Sequence, residues 1–136
     1  MTQYLGLADL LLIAEAVLEV PAEQVFYLCD TGLAESALRA PAAGYGDYEQ
    51  YPSMAQKAAV LGARLCQNHC LLDGNKRLAY LSMREFVARN GYDWIAPAAD
   101  EPDGDETVKV MWDLAAHQMS EAELTRWIAD RIGEAS

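Results

Sequence analysis

Asn68-His69-Cys70-Leu71-Leu72-Asp73-Gly74-Asn75-Lys76-Arg77 (residues 68–77) joins two long helical patterns and gathers a histidine, an aspartate and two adjacent cations. Upstream, Ala55, Ala58, Ala59, Gly62, Leu65, Cys66 and His69 recur at helical spacing. This stripe of small residues predicts a central helix on which its neighbours pack closely. Pro52 suits the first turn of that helix. Downstream, Leu78, Ala79, Leu81, Ser82, Phe86 and Val87 mark the inner face of a second helix over 75–90, with Gly91 as its stop. The short connection turns the chain back, so His69 closes one helix and Asn75, Lys76 and Arg77 open the next.

The first turn of a helix has free backbone N–H groups and the positive end of the dipole, so it attracts anions. Lys76 adds a compact charge, and Arg77 adds a planar fork that fits phosphate oxygens. Two cations oppose the dipole at this end of a helix, where acids are favoured. A bound anion resolves that conflict. Gly74 permits a positive φ or a close approach of backbone to a ligand. Asp73 stands where a helix cap belongs, and it also suits Mg²⁺, which binds through one or two carboxylates plus phosphate oxygens. His69, as a neutral imidazole, can take a proton from an attacking hydroxyl. A helix C-terminus favours its protonated form, so a base role requires surroundings that offset this.

Away from this segment the pattern is also helical. A first helix is expected over 9–20, with Leu10, Ile13, Ala14, Val17 and Leu18 facing inward and Pro21 ending it. A second segment spans 22–28. Asp30-Thr31-Gly32 is a break, and a short helix follows over 33–40, closed by Pro41. Residues 42–51, AAGYGDYEQY, read as an exposed loop or a small β-hairpin. Residues 92–96 form a short extended piece, and 97–105 a surface loop with two prolines and several acids. Helices resume over 106–117 and 121–132, the last capped by Ser120 with Glu123 closing a capping box. Trp94, Trp112 and Trp127 are expected as core or interface anchors. The fold class is all-α, a single domain over 1–136 built as a helical bundle with a small flap loop or β-hairpin.

The chain carries 10 Lys+Arg against 21 Asp+Glu, a net charge of −11 over 136 residues. Nucleic-acid binding through phosphate neutralisation needs clustered cations, so it is not expected, and neither is a polybasic membrane anchor. The N-terminus lacks a positive n-region, and Asp9, Glu15 and Glu19 interrupt its apolar run, so no leader or membrane span is expected. Cys29, Cys66 and Cys70 cannot all pair internally, which points to a reducing cytoplasm. A zinc reading of Cys66, His69 and Cys70 meets a spacing that is uncommon for zinc. The two cysteines read instead as small apolar packing residues.

His69-x-Leu71-x-Asp73-Gly74-Asn75-Lys76-Arg77 resembles the signature H-x-F-x-D/E-G-N-x-R of the Fic/Doc superfamily. Its Lys76-Arg77 ending is similar to the Doc (death-on-curing) branch. Residues 32–38, GLAESAL, resemble the Doc-branch helix upstream of the flap, and residues 86–91, FVARNG, resemble the end of the helix after the motif. The resemblance implies a Fic fold and the toxin half of a toxin–antitoxin pair. It implies transfer of the γ-phosphoryl group of ATP to a threonine of elongation factor Tu, which inhibits translation. His69 would activate the hydroxyl. Asp73 would hold Mg²⁺ or orient the reacting group. Gly74, Asn75, Lys76 and Arg77 would form the phosphate site, and residues 45–51 the flap that docks the target segment. The implied partner is an antitoxin, Phd-like, whose C-terminal tail folds into a groove on this domain.

Four positions depart from the pattern. Leu71 replaces the usual core-anchoring Phe, and Leu78 stands where the Doc branch has Thr. Tyr80 replaces a second Arg of AMP-transferring Fic enzymes, and Lys76 replaces their second Gly. The last two favour phosphoryl over AMP transfer. AMP transfer and a catalytically inactive antitoxin-binding protein are the alternatives. Residues 31–36, TGLAES, approach the inhibitory motif S/T-x-x-x-E-G/N but end in Ser36, so inhibition by a separate antitoxin is expected.

Overall fold

A computed structural model describes residues 1–95 and 105–135. The chain enters through α1 (Leu7–Leu18), α2 (Ala22–Leu28) and α3 (Thr31–Arg39). A 3-10 turn (Ala40–Ala42) leads to a hairpin of β1 (Gly44–Tyr45) and β2 (Tyr48–Glu49). Two longer helices follow, α4 (Met54–Asn68) and α5 (Asn75–Arg89). Then come β3 (Tyr92–Trp94), α6 (Asp105–Ala115), α7 (Glu121–Ala129) and β4 (Ile132–Glu134). The architecture is the expected all-α bundle with a small hairpin. The expected loop over 97–105 lies, up to residue 104, outside the described residues. Among the described residues no helix is long and apolar enough to cross a membrane.

The bundle is organised around α4. Ala58, Ala59, Val60, Leu61, Ala63, Leu65 and Cys66 are all fully buried or nearly so. A helix covered on most of its sides is a core helix, and α3, α5, α6 and α7 all pack on it. Small residues let those neighbours approach. At Gly62 an added Cβ would overlap the Met83 thioether from α5. Gly62→Val is therefore expected to lower stability by about 1–3 kcal/mol through overpacking. Urea unfolding measures this, and an unchanged midpoint would show that Met83 repacks freely.

Local signals account for the helix ends. Ser53 Oγ accepts from Gln56 N at 3.1 Å while Gln56 Oε1 accepts from Ser53 N at 2.9 Å, a reciprocal capping box. That cap starts α4 at Met54 and leaves Pro52 outside the helix rather than in its first turn. Ser120 and Glu123 make the expected box on α7, with both bonds at 3.0 Å. Asp30 Oδ1 accepts from Leu33 N at 3.1 Å, so α3 begins at Thr31, two residues before the expected start. Gly91 has φ 84°, as a helix stop requires.

The last helix is shorter than the sequence pattern implies. It ends at Ala129, and Ile132 leaves it to pair with Trp94 in an antiparallel β3–β4 ladder. A few apolar residues near a chain end fit either period, and pairing with a distant strand decided this one. Trp94 sits between Tyr80 and Trp127, with ring centroids 5.8 and 5.7 Å away. This cluster fastens β3 and α7 to α5.

Candidate functional site: the α4–α5 connection

The connection is shaped mainly by Asn75. Its Nδ2 donates to Leu71 O at 2.8 Å and its Oδ1 accepts from Leu71 N at 3.1 Å. The carboxamide thus reads both backbone groups of one residue and folds the loop back onto the start of α5. Asn75 is buried, so this side chain is a loop clamp. Leu71 is itself buried at 4% exposure. The leucine in place of the usual aromatic still anchors the loop in the core. Leu78, the other departure on this face, is fully buried as well.

Gly74 is needed twice. Its φ of 85° and ψ of 9° are left-handed, and a Cβ there would come within 3.0 Å of Val17 Cγ1 on α1. Gly74 is also the residue before the helix, with no side-chain cap. Asp73 is therefore not the cap of α5. Its Oδ1 accepts from Gly74 N at 2.8 Å, and the residue is exposed. The first intrahelical bond runs from Leu78 N to Gly74 O at 2.9 Å. That leaves the N–H groups of Asn75, Lys76 and Arg77 without an intrahelical acceptor.

Around this helix start the cations are arranged unevenly. Arg39, Lys57, Arg64, Arg89, Lys109 and Arg131 each pair with a carboxylate. Among the described residues, Lys76, Arg77, Arg84 and Arg126 have no carboxylate ion pair, and of these only Lys76 and Arg77 are adjacent and at a helix start. Lys76 Nζ lies 4.3 Å from the centroid of the Trp112 ring, and Arg77 is exposed. Trp112 is thus 60% exposed on the surface of α6 rather than in the core. Lys76, Arg77, Tyr80, Leu81, Met111 and Trp112 line a cleft of about 290 Å³. The lining combines two cations with apolar and aromatic side chains, which suits a planar ring joined to an anion. Trp112 and Met111 on α6 lie far along the chain from the motif, and no spacing signal marks them.

His69 does not extend the buried stripe of α4. It is the residue after the helix, with φ 53° and ψ 52°, and it is exposed. The left-handed turn takes it off the helical repeat, and histidine is one of the few non-glycine residues enriched there. Its neighbours are fixed on the other side. Cys70 O accepts from Asp30 N at 2.7 Å, and Asn68 Nδ2 donates to Leu33 O at 3.4 Å. The start of α3 thereby braces the connection. Burial pushes the Cys66 thiol up to about 11, against the lowering effect of the nearby Lys76 charge. Burial also pushes the Cys70 thiol up to about 12, and the Cys29 thiol beside it is raised too. These thiols stay protonated at neutral pH, while His69 faces solvent. Among the described residues no three His, Cys, Asp or Glu side chains converge as a metal site.

The segment therefore brings an exposed imidazole, a carboxylate and an anion-seeking helix start together on one tight loop. A family model described as the Fic/DOC family matches residues 4–87, well over half of the chain. A similar protein is a Toxin Doc from Mycolicibacterium smegmatis, 40% identical over 62 residues. That alignment takes in 46% of this chain and 48% of the relative, so the chain spans about half the length of the curated relative it matches. The matched region contains all of the α4–α5 connection, and the chain belongs to the Fic/DOC family.

Proposed function

We propose that this chain is the toxin of a toxin–antitoxin pair and works in the cytoplasm. It transfers the γ-phosphoryl group of ATP to a threonine hydroxyl of elongation factor Tu and so stops translation. The observation that carries this reading is the adjacent pair Lys76 and Arg77, with no carboxylate partner among the described residues, at an open helix start in a chain of net charge −11. Two adjacent cations beside the free N–H groups of a helix start have an anion as their natural partner.

In this mechanism the N–H groups of Asn75, Lys76 and Arg77 and the two side chains cradle the phosphates. The cleft against Trp112 takes the planar base. His69 accepts the proton of the attacking threonine hydroxyl as its oxygen bonds to the γ-phosphorus and the bond to the β-phosphate oxygen breaks. ADP leaves, and the products are phosphothreonine and ADP. Asp73 has one carboxylate oxygen on Gly74 N and keeps capacity for Mg²⁺, which fits a donor set of one carboxylate plus phosphate oxygens. When bound, the metal neutralises phosphate charge. Catalysis then rests on positioning and fixed charge, as phosphoryl transfer requires. Tyr80 supports phosphoryl over AMP transfer. It is buried, with its hydroxyl near Arg84 at 3.4 Å, and it supplies no cation where AMP-transferring relatives carry an arginine.

The antitoxin is proposed as a separate chain with a Phd-like C-terminal tail. A groove of about 580 Å³ between α1 and α5, lined by Leu12, Ile13 and Trp94 with Arg84, Glu85 and Arg89, has the size and mixed chemistry to take such a tail. The deciding experiment incubates the protein with elongation factor Tu and ATP labelled at the α or the γ phosphate. Label is expected from the γ position alone. Label from the α position means AMP transfer, and no label from either means this target is wrong.

A further inference from the structure

Lys57 stands out in the core. It projects from the start of α4, and its side chain is 3% exposed. An ammonium group is costly to bury unless it is paired and hydrogen-bonded. Its two acceptors lie at the end of β2 and two residues past it. Lys57 Nζ donates to Glu49 Oε1 at 3.0 Å and to Tyr51 O. Glu49 is itself more than half exposed, so the burial is all on the lysine side.

The hairpin needs an external hold. Its strands are two residues long, and every residue from 44 to 50 is exposed. A two-stranded ribbon of that length is marginal in water. Internally it has the Tyr45–Tyr48 ring contact at 5.4 Å and the Gln50 N to Ala43 O bond at 3.0 Å. Gly44 sets its geometry, since φ 150° and the closeness of Tyr48 O leave no room for a Cβ. The two Lys57 bonds tie the base of this ribbon, where Glu49 pairs with Gly44 and the chain runs on through Tyr51, to the start of α4, the helix whose other end leads into His69.

We infer that Lys57 is a positioning residue: its buried ammonium holds the β1–β2 hairpin at a fixed place relative to the α4–α5 connection, so that an extended segment of the target protein docks in register with His69. The docking half of this inference rests on the proposed function. The clamp itself does not. A methionine or leucine at this position would pack with no charge to bury, which makes stability alone a poor reason for lysine here.

The test compares wild type with Lys57→Met, Lys57→Arg and Glu49→Gln, the last at an exposed position that does not threaten folding. Hydrogen exchange of amides 44–51 is measured beside amides of α5, and transfer kinetics are measured with elongation factor Tu and ATP varied separately. Lys57→Met is expected to speed exchange in 44–51 while α5 stays protected. It should raise KM for the protein target roughly 10- to 100-fold, the scale of a misplaced docking edge, with KM for ATP unchanged. Lys57→Arg should restore most of both, and Glu49→Gln should give a smaller change of the same kind. Unchanged exchange in both Lys57→Met and Glu49→Gln overturns the clamp. Faster exchange with an unaltered target KM overturns the docking role. Absence of transfer by wild type overturns the proposed function, and the exchange comparison then decides the clamp by itself.

Discussion

Replacing His69 with alanine is expected to lower transfer to the target about 100- to 10,000-fold, the range spanned by a positioned general base. Expression of the wild-type chain alone should arrest growth, and expression of the His69→Ala chain should not. Folding should survive the change, because the imidazole is exposed and lies beyond the last residue of α4. The backbone there is left-handed at φ 53°, which alanine tolerates less well than histidine. His69→Asn separates the two effects. Asparagine accepts this conformation but supplies no base of comparable strength. Both variants should therefore lose activity and keep a near-native unfolding midpoint. If Asn restores growth arrest, the residue matters for its backbone shape and not for its proton. If His69→Ala and Lys76→Ala both arrest growth like wild type, catalysis by this loop is wrong, and the chain acts by binding.

Much of this site could be read along the chain because its parts are consecutive. His69, Asp73, Gly74, Lys76 and Arg77 lie within one loop and one helical turn, so their shared location follows from local rules for helix ends. The small-residue stripe likewise announced the central position of α4. What depends on distant pairing was hidden. Ile132 looks like the end of a helix until Trp94 is placed beside it. Trp112 reads as a core or interface anchor, and only the structure shows that it is a surface ring under Lys76. The burial of Lys57 could not be inferred either, since a lysine on a helix normally reaches solvent and its acceptors lie in a hairpin of ambiguous pattern. His69 shows a subtler limit. Its spacing continues the stripe, but one left-handed residue takes the side chain off it, and helical periodicity carries no information about the residue that ends it.

Asn75 separates a structural role from a ligand role most sharply. Read from sequence, it is one of several phosphate-binding residues. In the structure its carboxamide is committed to Leu71 N and O. Asn75→Ala would leave both of those backbone groups without their side-chain partner, each at a cost of about 1–3 kcal/mol where water cannot replace it. Against a usual domain stability of about 5–15 kcal/mol, that is a large loss. Urea unfolding of Asn75→Ala should show a clearly lowered midpoint, and ATP turnover should fall with it, because the loop that aims the helix start has lost its closure. Arg77→Ala is the matched comparison. Arg77 is exposed and has no carboxylate partner among the described residues, so its removal should change stability by less than about 0.5 kcal/mol while raising KM for ATP. The two variants then differ in kind: one loses fold and function together, the other nucleotide affinity alone. Should Asn75→Ala behave like Arg77→Ala, with a native midpoint and a weakened ATP site, the carboxamide turns away from Leu71 in solution and contacts the nucleotide directly. Should Arg77→Ala leave ATP affinity intact, the anion site lies elsewhere than at the start of α5.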